Sequence, residues 1–105
     1  QWTSDTLYFR ISGKTQGTLG YLRAEKSRRR KQARACGTAY VQLRNETHPD
    51  LVRMREYSPR DYKRYKQNYM LDNRFKRRRC LEIYGEVGDA IKRIEEYQQV
   101  LESKA

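Results

Sequence analysis

The sequence predicts a mainly α protein, with an extended or hairpin N-terminal arm, several helices, a long amphipathic C-terminal helix and a fold that is non-globular in part. Three observations predict it. Apolar residues recur at helical spacing through the second half of the chain, while strand-like alternation is confined to the first 22 residues. Only 36% of the 105 residues are hydrophobic, against 35% charged, which is a thin supply for one core. A chain this short buries about two-thirds of its unfolded surface. The expected layout is an arm over 1–22, a basic helix and connector over 23–47, and a helical domain over 48–105.

In the arm, Leu7, Phe9 and Ile11 alternate with Tyr8 and Arg10, the period-2 signature of a strand with one apolar face. Ser12-Gly13 and Gly17 supply turn chemistry, and residues 18–22 could pair back as a hairpin. An extended arm on a partner is equally compatible, because an isolated hairpin is marginal in water.

Residues 24–35 are strong helix formers, with Gly37 placed as a C-terminal cap. Ala24, Ala33 and Ala35 are its only aliphatic residues. A helix polar all round lacks a packing face, so an anionic surface is expected to order it.

His48-Pro49-Asp50 reads as a helix start, with Pro at the first helical position and Asp in the first turn. Ser58-Pro59-Arg60-Asp61 reads as a second start, close to a capping box. Behind it Tyr62, Tyr65 and Tyr69 recur on one helical face, a spacing that core packing produces. Asp72 either caps a new helix or lies within a continuing one. After Cys80 a heptad pattern places Tyr84, Val87, Ile91, Ile94 and Leu101 on one seam. That seam is expected to pack on another helix, of this chain or of a partner. Gly85 and Gly88 weaken helix propensity there by about 1 kcal/mol each.

Charge is the most informative feature. The net charge is +11, from 24 Lys and Arg against 13 Asp and Glu. It comes in blocks: residues 21–34 carry seven basic and one acidic side chain, 53–79 carry eleven and three, and 80–105 carry three and six. Self-repulsion of that size disfavours a compact monomer unless an anionic partner screens it. Arginine presents a planar fork that meets phosphate oxygens bidentately. The expected phosphate contacts are Arg28, Arg29, Arg30, Lys31 and Arg34 in the first block, and Lys63, Arg64, Lys66, Arg77, Arg78 and Arg79 in the second. Nine tyrosines outnumber Phe and Trp together by three to one. Tyr57 and Tyr40 are the candidates for stacking on bases or sugars.

Catalysis finds no support. The lone His48 has no nucleophile arrangement beside it, Gly13, Gly17 and Gly20 lack the spacing of a phosphate-binding loop, and no metal or cofactor is expected. Cys36 and Cys80 lie far apart in sequence with no CxxC partner, so no zinc site is expected, and two reduced, half-buried thiols are favoured over a disulfide. No stretch approaches the roughly 20 apolar residues of a membrane span. There is no apolar signal-peptide core at the N-terminus, and Gln1 implies a processed or trimmed end. Leu7-Tyr8-Phe9-Arg10 and Tyr21-Leu22-Arg23 each resemble, over three or four residues, the Leu-Tyr-Arg tripeptide of small mitochondrial accessory and assembly-factor proteins. Neither carries the tripeptide intact, and the first lies in a strand-like context where that family has a helix, so kinship does not follow.

The expected function is a structural, RNA-binding component of a ribonucleoprotein. A ribosomal protein on rRNA is favoured, in mitochondria or else in a cytosolic particle, with neighbouring proteins as further partners and no small-molecule substrate. The competing expectation is an accessory scaffold subunit of a large mitochondrial membrane complex, such as a respiratory-chain assembly, where the arginines meet acidic subunits or lipid headgroups.

Overall fold

The structure is a computed structural model that describes residues 8–10 and 16–104, and these are mostly helical. Two short strands, β1 (Tyr8–Arg10) and β2 (Gln16–Thr18), precede three helices: α1 (Leu19–Arg44), α2 (Pro49–Tyr57) and α3 (Tyr62–Lys104). Contacts divide the chain into two compact units, Gln1–Arg30 with Leu81–Ala105, and Lys31–Cys80.

In the first unit, β1 and β2 form an antiparallel pair in the register Tyr8↔Thr18, Phe9↔Gly17, Arg10↔Gln16. The hairpin is therefore present, though Leu7 and Ile11 of the expected strand lie outside the described residues. The return strand lies earlier than expected, at Gln16–Thr18, with Gly17 inside it rather than in the turn. It stops at Thr18, whose Oγ1 accepts the Tyr21 N–H at 3.1 Å and so caps α1. Residues 19–22 are helical because Leu19 and Leu22, three apart, both reach the core from one helical face. They close with Val87, Ala90, Ile91 and Ile94 of α3 into one buried cluster, with Ile83 at its edge. The heptad seam expected after Cys80 is thus filled at its centre from within this chain. The helix segments run antiparallel: Arg23 pairs with Glu95 at 3.6 Å, and the Lys26 ammonium lies 5.2 Å from the centroid of the Tyr84 ring.

Glu25 is buried, only 7% exposed. Its carboxylate takes a bond from Arg29 Nε at 2.7 Å and pairs with Arg28 one turn on. A buried carboxylate requires such partners, since losing one would leave an uncompensated charge.

In the second unit, Leu43 of α1 and Leu51 of α2 are fully buried, joined by Ala33 and Cys80. Here too α1 and α3 run antiparallel, with Cys80 Sγ 3.6 Å from Gln32 Oε1 and the Arg77 side chain over Gly37. Gly37 does not cap the helix. Burial of Leu43 outweighs the roughly 1 kcal/mol that a mid-helix glycine costs, and α1 continues to Arg44. It ends in a Schellman turn: Thr47 N–H reaches Gln42 O at 2.8 Å and Glu46 N–H reaches Leu43 O at 3.1 Å. Glu46 takes the left-handed position usually given to glycine, at φ 60°.

His48 caps α2, its Nδ1 accepting the Asp50 N–H at 3.2 Å, with Pro49 at the helix start as expected. The second start falls later than the sequence suggests. Ser58 gives its N–H to Met54 O and closes α2. A turn intervenes, with Asp61 N–H on Ser58 O, before α3 begins at Tyr62. Asp72 lies inside α3 and holds Lys76 at 2.9 Å.

Candidate functional site

The basic side chains fall into two groups once their partners are counted. In the first group a carboxylate already holds the charge. Arg28 and Arg29 share Glu25, Arg64 lies 3.7 Å from Asp61, and Lys66 lies 3.4 Å from Glu46. The Glu46 cluster is a structural knot in the second unit. Tyr62 donates to Glu46 Oε1 at 2.6 Å and accepts from Arg55 at 2.8 Å. The Tyr62 hydroxyl, followed by Lys66, holds the Glu46 carboxyl below the usual carboxylate range. These four residues tie the α1–α2 turn to both following helices.

Of the expected tyrosine stripe, Tyr62 belongs to that knot, while Tyr65 and Tyr69 pack on each other, all three half-buried. Tyr65 and Tyr69 stack with ring centroids 4.9 Å apart, and Tyr69 meets the His48 ring at 6.0 Å. Burial, then the hydrogen bond with Tyr69, pushes the Tyr65 hydroxyl up.

Arg34, Arg74 and Arg77 of the second unit form the other group, and these three have no carboxylate partner among the described residues. Gly37 lies at its centre. A Cβ built there would make ordinary contact with Arg77 Nε, at 3.4 Å, so the Arg77 side chain runs alongside α1 at this position. Two recesses flank the Arg77 side chain. One, of about 360 Å³, is lined by Gly37, Tyr40, Val41, Arg74 and Arg77. The other, of about 440 Å³, is lined by Arg34, Gly37, Thr38, Val41, Gln42 and Arg77. The first recess sets Tyr40 and Val41 beside two arginines, and the second sets Val41, Thr38 and Gln42 beside two arginines. Such a site can receive a phosphate bidentately and place an apolar or aromatic group against its floor.

Of the expected phosphate contacts, the structure therefore brings together Arg34 and Arg77, with Tyr40 beside them. Lys31 and Lys63 are exposed elsewhere in the same unit, and Arg78 and Arg79 are exposed along α3. Arg30 belongs to the first unit, where it shares a recess with Arg23, Lys26, Ser27, Tyr84, Ile91 and Glu95. Tyr57 is 82% exposed at the end of α2 and half-buried Tyr40 lines a recess. In the expected docking seam, Val87, Ile91 and Ile94 are buried in this chain's own core and Tyr84 receives Lys26. Leu101 remains half exposed, near exposed Tyr97 and Val100.

Arg74 was not singled out by the sequence, because it stands outside the Arg77-Arg78-Arg79 run. Its signal is helical spacing, one turn before Arg77 and Arg78. Leu71 and Phe75, an i, i+4 pair on α3, are also exposed, at 64% and 72%.

Both cysteines are free thiols, Cys36 half-buried and Cys80 buried. Burial, then the neighbouring Cys80, pushes the Cys36 thiol up, which keeps it protonated and a poor nucleophile. Among the described residues no three His, Cys, Asp or Glu side chains gather in a metal-binding group, and no helix is long and apolar enough to cross a membrane. Comparison with protein-family models, with curated proteins and with solved structures finds no match to this chain.

Proposed function

We propose that this chain is a structural, RNA-binding component of a ribonucleoprotein, holding the phosphate backbone through the Arg34–Arg74–Arg77 cluster of its second unit. One observation carries the reading: three guanidinium groups gather around Gly37 with no carboxylate partner among the described residues. Elsewhere the same fold pairs its cations with acids, as at Glu25, Glu46 and Asp72. Concentrating like charges costs free energy, and an anion arriving from outside offsets that cost. Arginine suits phosphate in particular because its fork is planar and keeps its charge when partly desolvated. A net charge of +11 favours a polyanion over a small acid. Contacts of this kind fix position along a backbone rather than read sequence. A ribosome, mitochondrial or cytosolic, is the assembly of this type that the sequence favours.

A second reading rests on Leu71 and Phe75, an exposed apolar pair beside Arg74. It makes the chain an accessory scaffold subunit of a large membrane-associated complex, held by apolar contact with arginines on acidic neighbours. Ultraviolet crosslinking and mass spectrometry on the native assembly separates the two. Nucleotide adducts on peptides from 31–44 or 62–80 are expected. Their absence, with RNA crosslinked to other subunits, would overturn the RNA reading and favour the scaffold.

A further inference from the structure

The recess between Tyr40 and Arg74 has features that backbone neutralisation alone does not require. We infer that it is a single-nucleotide site, in which one unpaired RNA base lies on Tyr40 and Val41 while its phosphate is held by Arg74 and Arg77. The inference rests on the RNA reading above and adds a base to the phosphate.

Four features of the second unit carry it. The recess of about 360 Å³ lies at the small end of the roughly 300–1,000 Å³ typical of small-ligand sites. Its floor, made by Gly37, Tyr40 and Val41, is largely apolar, and both of its charged lining residues are arginines. Neither arginine has a carboxylate partner among the described residues. Tyr40 is half-buried and lines the recess. An aromatic ring held in this way, beside two cations, is the arrangement on which single-stranded nucleic acids stack their bases.

Arg77 runs alongside Gly37 of α1 and lines the recess with it. A fully paired duplex offers phosphates but keeps its bases stacked inside the helix. The floor of the recess is then unused, and only the arginines contribute. The site therefore separates single-stranded from double-stranded RNA, a distinction that a plain basic surface does not make. A polyglutamate peptide could satisfy the arginines but has no ring to lay on the tyrosine.

The test uses fluorescence anisotropy on the full chain, with a labelled uridine-rich single strand and a blunt duplex of equal length. Tyr40→Leu is expected to weaken single-strand binding by about tenfold, as loss of one stacked base does, and to leave duplex binding within about twofold. Tyr40→Phe keeps the ring and is expected to stay within about twofold on both. Equal losses on both RNAs, or Tyr40→Phe falling as far as Tyr40→Leu, would assign Tyr40 a structural role and overturn the inference. Unchanged single-strand binding by Tyr40→Leu would overturn it too. If Arg74→Gln still weakened binding in that case, the broader RNA reading would stand. No binding of either RNA by the unsubstituted chain, or equal displacement of the single strand by a polyglutamate peptide, would overturn both. Should Tyr40→Leu fail to fold, a 4-thiouridine-bearing strand on the unsubstituted chain gives the answer. Crosslinks at Tyr40 or Val41 support the site, and crosslinks confined to other segments overturn it.

Discussion

Replacing Gly85 by alanine should stabilise this protein, while the same change at Gly17 should destabilise it. Gly85 lies within α3 and is exposed, and a Cβ built there meets nothing within 4 Å. The substitution therefore gains the full helix-propensity difference with no steric penalty. That difference is about 0.8–1 kcal/mol, much of it from restricting the unfolded chain. For a domain of this size it raises the melting temperature by roughly 4–8 °C. Gly17 presents the opposite case. Its φ of 147° is strained for any residue with a side chain, and a Cβ there would sit 2.8 Å from Tyr21 Cδ1. Gly17→Ala should cost about 1–3 kcal/mol, the range for a residue held in a sparsely populated backbone region. Urea unfolding followed by far-ultraviolet circular dichroism measures both. A neutral or destabilising Gly85→Ala would refute the reasoning, because it would mean that α3 is not a continuous helix through that position.

Two further outcomes follow from packing and from charge. Ile94 is 3% exposed in the cluster with Leu19 and Leu22, so Ile94→Ala should cost about 2–5 kcal/mol. Leu101→Ala, at a half-exposed site, should stay within about 0.5 kcal/mol; equal losses at the two positions would contradict the assigned core. The Glu46 carboxyl is held low by the Tyr62 hydroxyl and Lys66. A depressed folded-state pKa means that this contribution is present above the ordinary carboxylate pKa and is lost as pH falls through the folded value. Tyr62→Phe should therefore move the Glu46 titration, followed by carboxyl carbon NMR, back toward the usual range. No movement would contradict the hydrogen bond.

The sequence and the fold agree where local chemistry decides the outcome. His48-Pro49-Asp50 opens α2 because the cap and the proline act within one turn. The tyrosines at 62, 65 and 69 share a helical face because that spacing needs no long-range information. Tertiary context decides the rest. Leu19 and Leu22 fit a strand or a helix equally well until Val87, Ile91 and Ile94 are there to receive them. Gly37 resembles a cap until Leu43, six residues on, is buried and carries the helix past it. Ser58 has capping chemistry, but it ends α2 and a turn follows, so α3 starts only at Tyr62. The candidate site follows the same division. The arginine runs announce positive charge, yet whether an arginine is spoken for depends on carboxylates such as Glu25, Glu46 and Asp61. The run at 28–30 is partly neutralised within its own helix. Arg74 becomes visible only when α3 lies against α1, beside Gly37.

The central claim is that Arg34, Arg74 and Arg77 meet RNA phosphates, and the salt dependence of binding tests it most directly. Each phosphate neutralised on a single strand contributes about 0.7 to the slope of log affinity against log salt. Replacing all three arginines by glutamine should therefore flatten the slope by about two units while leaving the helical signal unchanged. A triple variant with the slope and affinity of the original chain would contradict the account.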